Sequence, residues 1–224
     1  MDQHPNKFVR SRHLFLSLVA LVYILLTATI VIPVLMNPTL RSNYFLLLSK
    51  WRARVIRPSF ALIGDSMTTR GGVWGWRLSY DPLSAIDLSQ SGLVTWQIVE
   101  TAKTAIQYRP LKILVMAGTN DAEHPADVTQ LASEWEKLFA ITGPTPVIVT
   151  LPPKTTDGEI NARLSQIEPI ITKSARSHSA TVIDLNDDIA RDGTIQPRFT
   201  VDGEHLSEAA YAIWVAKLLA AVGQ

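Results

Sequence analysis

Residues 59–67 read SFALIGDSM, and this stretch decides the fold. It joins a short apolar run, residues 59–63, to a Gly-Asp-Ser turn. Similar apolar runs recur along the chain at residues 84–88, 112–117, 146–151 and 181–185. Their Val, Ile and Leu content without strict alternation is typical of parallel strands covered on both faces. The pattern therefore predicts a five-stranded parallel sheet.

Amphipathic helical patterns separate these runs. The predicted buried faces comprise Ile98, Ala102, Ala105 and Ile106; Val128, Leu131, Trp135 and Leu138; Ile160, Leu164, Ile167 and Ile171; and Ala209, Ile213, Ala216 and Ala220. We expect Pro169 to kink the third helix and Ser207 to cap the last one. Alternating strands and helices predict an α/β fold with three α/β/α layers, flavodoxin-like, whose functional sites gather at the carboxyl ends of the strands.

Polar blocks stand where those strand ends are predicted. Gly-Asp-Ser-Met (64–67) follows the first strand, Gly-Thr-Asn-Asp (118–121) follows the third, and Asp-Gly-Glu-His (202–205) precedes the last helix. A serine, a histidine and a carboxylate in hydrogen-bond reach form a nucleophilic catalytic set. The motifs Gly-x-Ser-x-Gly, His-Glu-x-x-His and Gly-x-Gly-x-x-Gly do not occur, which weakens the classes that depend on them.

With Gln-Ser-Gly (90–92), these blocks appear in the order found in SGNH (GDSL-like) hydrolases, and residues 59–224 resemble that family. The resemblance implies that Ser66 is the nucleophile, His205 the general base, and Asp202 the residue that orients His205. It also implies an oxyanion hole formed by the backbone N–H groups of Ser66 and Gly92 and the side-chain amide of Asn120. No metal and no organic cofactor are expected.

Other side chains near these blocks have ordinary structural interpretations. Asp65 and Asp121 are expected to hold loops through backbone hydrogen bonds. Trp74 and Trp76 follow the nucleophile and either stack on a sugar ring or belong to the core. His124 either borders the site or is a solvated loop histidine. Sequence alone decides neither the role of the two tryptophans nor that of His124.

Charge is unevenly distributed, although the net charge of the 224 residues is only +1. Residues 1–58 contain eight Lys and Arg and one Asp, whereas the remainder carries a net charge of −6. The basic part surrounds an apolar segment, which favours anionic lipid over nucleic acid as a partner. The chain has no cysteine, which excludes disulfides, thiolate metal sites and a lipidated cysteine.

The apolar segment, residues 14–36, has no charged side chain and is long enough to span a bilayer. A cleaved signal peptide is the main alternative. We expect a short basic tail (1–13), a membrane anchor (14–36), a basic juxtamembrane segment (37–58) and a hydrolase domain (59–224). Because the tail is cationic, the N-terminus is expected in the cytoplasm and the domain outside the plasma (inner) membrane, although the Lys and Arg residues after the anchor oppose this orientation. Residues 43–57 are expected to lie on the membrane surface.

The function predicted from these features is removal of an O-acetyl or other short acyl group from a polysaccharide or cell-envelope substrate. Lysophospholipase, thioesterase or acyltransferase activity with the same triad is an alternative. A third interpretation is an inactive SGNH module that serves as an accessory subunit of a membrane complex. The identity of the substrate and of any protein partner is not encoded in a recognisable motif.

Overall fold

The computed structural model of this chain describes residues 17–79, 81–124 and 128–223. Two compact units, Met1–Phe45 and Leu46–Gln224, divide the chain. The predicted basic tail, residues 1–13, lies outside the described residues, as do the first three positions of the predicted anchor.

The first unit contains the apolar helix. Within the described residues, one helix is long and apolar enough to cross a membrane; its window Ser17–Val34 has a mean hydropathy of 2.4 and is not buried by protein. A wide π-helical turn, Thr27–Val31, precedes Pro33, whose ring disfavours the normal approach of the carbonyl one turn earlier. Asn37 ends the helix, and its side chain accepts hydrogen bonds from two backbone N–H groups of the next helix, 2.9 and 3.1 Å away.

The remaining helices and strands alternate along the chain. In the described residues the helices are α1 (Pro38–Arg52), α2 (Ser66–Thr69), α3 (Trp74–Ser79), α4 (Thr95–Ala105), α5 (Thr119–Glu123), α6 (Val128–Thr142), α7 (Gly158–Ser177), α8 (Asn186–Ile189) and α9 (Glu208–Val222). The strands are β1 (Phe60–Gly64), β2 (Ala85–Asp87), β3 (Lys112–Met116), β4 (Val147–Thr150), β5 (Thr181–Ile183), β6 (Ala190–Arg191) and β7 (Thr194–Ile195).

Strands β1 to β5 form one parallel sheet in the order β2-β1-β3-β4-β5. This confirms the predicted five-stranded α/β fold, and the strand order is the flavodoxin-like one. The central strands end together, because Gly64 of β1 is paired with Met116 of β3. Strands β6 and β7 form a separate antiparallel hairpin.

Helices cover both faces of the sheet because successive strand side chains point to opposite faces. Ala61 and Ile63 of β1 belong to the core beneath α4, α6 and α7. Phe60 and Leu62 belong to the core beneath α3 and α9. All four side chains are almost completely buried, which explains why β1 is apolar without alternation.

Two local expectations differ from the structure. The buried face of α9 consists of Ala210, Tyr211, Trp214 and Leu218, so the predicted face with Ala209, Ala216 and Ala220 was wrong. Burial there follows the large aromatic side chains, which fill more of the core than alanine does. Ser207 does precede α9, but its hydroxyl donates to the carbonyl of Arg198 instead of capping the helix. Pro169 lies inside α7, which continues to Ser177.

Candidate active site

The turn after β1 carries Ser66 to the carboxyl edge of the sheet. Gly64 ends the strand, and a Cβ atom there would lie 2.3 Å from the Thr68 hydroxyl and 2.9 Å from the Met116 carbonyl. Only glycine therefore allows α2 to fold back so tightly against β3. The carboxylate of Asp65 accepts a hydrogen bond from the backbone N–H of Met67 at 3.0 Å and so caps α2, whose first residue is Ser66.

Ser66, His205 and Asp202 form a continuous chain of hydrogen bonds. His205 Nε2 lies 3.0 Å from Ser66 Oγ, and His205 Nδ1 lies 2.8 Å from Asp202 Oδ2. If Nδ1–H donates to the carboxylate, Nε2 accepts from the serine hydroxyl, which is the tautomer a general base requires. Ser66 is 8% exposed, so its hydroxyl is sheltered but within reach of a substrate.

Asp202 is held as a carboxylate by several donors. Its Oδ1 accepts hydrogen bonds from the backbone N–H groups of His205 and Glu204 at 2.7 and 3.1 Å. Burial alone would raise the pKa of Asp202, but these bonds and the one from the His205 ring outweigh it and lower the pKa to about 2. Arg70 also approaches, with Nη1 3.6 Å from Asp202 Oδ2. The carboxylate therefore stays ionised across the pH range in which histidine titrates.

The loop that carries His205 is closed by backbone hydrogen bonds. Thr200 Oγ1 accepts from Gly203 N–H at 2.8 Å and donates to His205 O at 2.9 Å. Thr156 N–H donates to Gly203 O at 2.7 Å, which ties the loop to the segment after β4. Gly203 has φ +95°, and a Cβ atom there would lie 2.4 Å from Thr156 Oγ1. Conformation and space together require glycine at this position.

The predicted oxyanion donors come from three segments of the chain: the start of α2, the loop after β2 and the start of α5. Asn120 Nδ2 donates to the Leu93 carbonyl at 2.9 Å, which leaves its second amide hydrogen for another acceptor. Gly92 has φ +81°, and the backbone N–H of Gln90 donates to Gly64 O at 3.1 Å, so this segment lies against the end of β1. Ser66 N–H, in the first turn of α2, has no acceptor within its own helix.

The two buried aspartates support these loops, as their predicted structural role requires. Asp121 accepts hydrogen bonds from the backbone N–H of Thr95 at 2.9 Å and from its hydroxyl at 2.8 Å. Burial raises the pKa of Asp121, and the Thr95 bonds oppose the rise. Asp65 is fully buried, and burial, reinforced by the charges of Asp121 and Glu204, raises its pKa to about 7 against the hydrogen bond from Met67.

Sequence reasoning missed two side chains that hold α2, the helix that begins at Ser66. Tyr211 of α9 donates its hydroxyl to Met67 O at 2.6 Å, and the Trp74 indole N–H donates to Thr68 O at 2.8 Å. Trp74 is 2% exposed, so it belongs to the core rather than to a sugar platform, whereas Trp76 is 39% exposed. Tyr211 and Trp214 are three residues apart on α9 and so share one face of the helix. That spacing was the signal that could have indicated that Tyr211 points into the core.

Two further features border this constellation. His124 is exposed at the end of α5, with Nδ1 3.3 Å from the Asn120 carbonyl. Glu204 extends towards His205, and its Oε1 lies 3.8 Å from Nε2. Among the described residues, no group of three or more His, Cys, Asp or Glu side chains is arranged to hold a metal ion.

Comparisons with known proteins agree with this fold. The model of the GDSL-like lipase/acylhydrolase family matches residues 62–213. A GDSL-like lipase from Bacteroides thetaiotaomicron superposes with a TM-score of 0.66 at 16% identity over 80% of this chain and 97% of that one. A lipase/acylhydrolase from Enterococcus faecalis gives 0.61 at 19% identity over 74% and 95%.

A catalytic mutant of an acetylxylan esterase from Geobacillus stearothermophilus also superposes, with a TM-score of 0.58 at 16% identity over 74% of this chain and 94% of that one. A search of curated proteins gave no match. At these identities the structural matches establish the fold, and the family model establishes that the chain is related to GDSL-like lipases/acylhydrolases.

Proposed function

The chain belongs to the GDSL-like lipase/acylhydrolase family, and we propose that it is a serine esterase that removes a short acyl group, such as O-acetyl, from a polysaccharide or cell-envelope substrate. The observation that carries the proposal is the hydrogen-bond chain Ser66–His205–Asp202. Such a chain favours a working hydrolase over an inactive accessory module, because a module without catalysis has no need of it.

The first half of the reaction acylates Ser66. As Oγ attacks the ester carbonyl, its proton passes to His205 Nε2, and Asp202 stabilises the imidazolium that forms. The carbonyl oxygen becomes an oxyanion that accepts hydrogen bonds from Ser66 N–H, Gly92 N–H and Asn120 Nδ2. Each such donor contributes roughly 3–4 kcal/mol to transition-state stabilisation. Nε2–H then protonates the alcohol oxygen as the C–O bond breaks, and the alcohol leaves.

The second half regenerates the enzyme. Water enters where the alcohol left, and His205 removes a proton from it as it attacks the acyl carbonyl. The tetrahedral intermediate collapses, the proton returns to Ser66 Oγ, and the carboxylic acid is released. A sugar or lipid hydroxyl in place of water would make the same machinery an acyltransferase.

The direct test compares Ser66→Ala with Ser177→Ala, a serine at the end of α7. We expect Ser66→Ala to lose at least about a thousandfold in kcat on p-nitrophenyl acetate, as the loss of a triad nucleophile usually does. Ser177→Ala should retain the activity. A variant at Ser66 that kept a tenth of kcat would exclude Ser66 as nucleophile. Wild-type protein should be labelled by a fluorophosphonate, and His205→Ala should not.

The substrate class is tested with natural esters. Acetylated xylan, lysophosphatidylcholine and an acyl-coenzyme A thioester represent the sugar, lipid and thioester alternatives. We expect acetate release from the acetylated polysaccharide to be the fastest reaction relative to the uncatalysed rate. Faster turnover of the phospholipid or the thioester would replace the proposed substrate class while keeping the serine mechanism.

We also propose that residues 14–36 anchor the protein in the plasma (inner) membrane, with the hydrolase unit outside. The window Ser17–Val34 supports an anchor by its length and hydropathy. In the second unit, Leu47, Trp51 and Val55 are 67–74% exposed, which suits a segment that rests on lipid. Not all of its cations are free for headgroups, because Arg52 forms an ion pair with Asp81 at 2.9 Å.

The topology is tested with reporters fused after Gln224. A reporter active only after export should work, and one that fluoresces only in the cytoplasm should stay dark. The opposite result would place the active site inside the cell and move the substrate to cytoplasmic esters. A shortened product that lacks the first 36 residues would instead identify the segment as a cleaved signal peptide.

A further inference from the structure

His205 lies between two carboxyl groups, one near each ring nitrogen. Asp202 contacts Nδ1 at 2.8 Å, on the side of the ring away from Ser66. Glu204 Oε1 lies 3.8 Å from Nε2, the nitrogen that faces the Ser66 hydroxyl. Glu204 therefore stands beside the reacting atoms, with a side chain that is 29% exposed and so in reach of a bound substrate.

The charge near Nε2 is negative. Glu123, at the end of α5, is close enough to Glu204 for their carboxyl groups to interact. Burial and then the charge of Glu123 raise the pKa of Glu204. The nearby guanidinium of Arg70 pairs with Asp202 at 3.6 Å, on the other side of the ring. Within the described parts of the chain, no Lys or Arg forms an ion pair with Glu204 or Glu123.

The alcohol part of an ester must pass this carboxylate. In the proposed reaction, Nε2–H delivers its proton to the alcohol oxygen as the C–O bond breaks, so that oxygen lies within hydrogen-bond reach of Nε2. Substituents on the alcohol then lie within several ångströms of Glu204, whereas the carbonyl oxygen lies towards the oxyanion donors. A fixed charge at Glu204 therefore acts on the leaving group more than on the acyl group.

We propose that Glu204 selects the leaving group by charge: it favours esters whose alcohol part is neutral or cationic and disfavours those whose alcohol part is anionic. The inference rests on the proposed serine esterase function and names the substrate class of that same site. Two unit charges about 7 Å apart in a partly exposed site change a rate constant about fivefold. The carboxylate raises kcat/KM of a cationic ester by this factor and lowers kcat/KM of an anionic ester by the same factor. The ratio of the two kcat/KM values therefore contains the factor twice.

Three acetate esters of phenols test the inference: phenyl acetate, 3-(trimethylammonio)phenyl acetate and 3-carboxyphenyl acetate. Each kcat/KM is divided by the hydroxide rate constant of the same ester, which removes differences in leaving-group reactivity. The assay is run at pH 8, because higher pH favours the ionised form of Glu204, and at low ionic strength, where screening is weak. The proteins are the full-length chain, Ser66→Ala, Glu204→Gln, Glu204→Asp and Glu100→Gln.

Glu100→Gln is the matched control, because it makes the same chemical change at an exposed position of α4, where Glu100 pairs with Lys103 at 2.7 Å. We expect Glu204→Gln to lower the cationic-to-anionic ratio about tenfold or more. Glu204→Asp, which keeps the charge, and Glu100→Gln should preserve the ratio. A general loss of rate in Glu204→Gln cancels in the ratio, so slower catalysis alone does not affect the result.

Two failures are distinguishable. If hydrolysis requires Ser66 but the ratio is the same in Glu204→Gln as in wild type, the charge selection is refuted and the esterase proposal stands. If Ser66→Ala hydrolyses all three esters as wild type does, the esterase proposal itself fails. A ratio that falls equally in Glu100→Gln would also overturn the inference, since it would show only a general effect of protein charge.

Discussion

Replacing Tyr211 by phenylalanine removes one oxygen atom and leaves the ring in place. The ring is 2% exposed and packs against Trp74 and Trp214, with centroids 6.2 and 6.0 Å away. The Arg77 guanidinium lies 5.0 Å from the ring centroid, a contact that phenylalanine preserves. The substitution therefore isolates the hydrogen bond from the Tyr211 hydroxyl to Met67 O.

The cost follows from the partner that is left behind. In a regular helix the N–H of Gly71 would bond to Met67 O, but here it bonds to Thr68 O. Met67 is fully buried, so its carbonyl would lose the Tyr211 donor in a place that water reaches poorly. An unsatisfied buried acceptor costs about 1–3 kcal/mol. For a unit of this size, about 2 kcal/mol lowers the midpoint of thermal unfolding by roughly 4–8 °C.

Near-UV circular dichroism of the detergent-solubilised protein measures that midpoint. Tyr108→Phe is the control, because Tyr108 packs on the core but its hydroxyl makes no hydrogen bond with the described part of the chain. We also expect kcat to fall severalfold with KM unchanged, since α2 positions Ser66. A midpoint within 1 °C of wild type, with full kcat, would show that the contact neither stabilises the unit nor positions the nucleophile.

Three other perturbations test the surroundings of the site. Asp65 has a folded pKa of about 7 and an ordinary value of 3.8, so unfolding releases a proton between these values and the free energy of unfolding falls as pH rises through this window. Asp65→Asn should remove that fall. Urea titrations at pH 5 and pH 8 measure it, and an equal fall in the free energy of unfolding in variant and wild type would contradict the prediction. Gly203→Ala should lower kcat at least about tenfold, because the added Cβ meets Thr156 and φ is +95°; wild-type kinetics would show that the loop adapts freely. Asp202→Asn should lose less kcat than His205→Ala, and equal losses would make the aspartate as necessary as the base.

The fold was predictable because its pattern is local. Each strand is a short apolar run bounded by Gly, Pro or polar residues, and the five observed strands fall within or one residue beyond the predicted ones. The blocks that carry Ser66, Asn120 and His205 follow strand ends or precede a helix, so the geometry of a parallel sheet brings them to one edge. The sheet edge therefore brings Ser66 and His205 together, while the catalytic roles of these residues stay predictions.

Other features depend on three-dimensional packing that no local pattern encodes. The alanines of α9 have the spacing of a buried face, but the core beneath that helix is filled by Tyr211 and Trp214 instead. Trp74 lies close to Ser66 in sequence, and its position there is compatible with a substrate platform. In the structure its indole N–H donates to Thr68 O, so the ring belongs to the core. The proposed role of Glu204 has no sequence signal, because it rests on the 3.8 Å approach of its Oε1 to His205 Nε2.

The last helix connects His205 and Ser66 mechanically. His205 lies in the loop before α9, and Tyr211, six residues later, lies on the helix. Both contact the turn after β1, at Ser66 Oγ and at Met67 O, 3.0 and 2.6 Å away. A displacement of α9 would therefore affect both contacts, so this helix, together with the loop that Thr156 ties to the segment after β4, holds His205 at its distance from Ser66. The apolar face of α9 thus belongs to the positioning of the site, although none of its core residues touches a reacting atom.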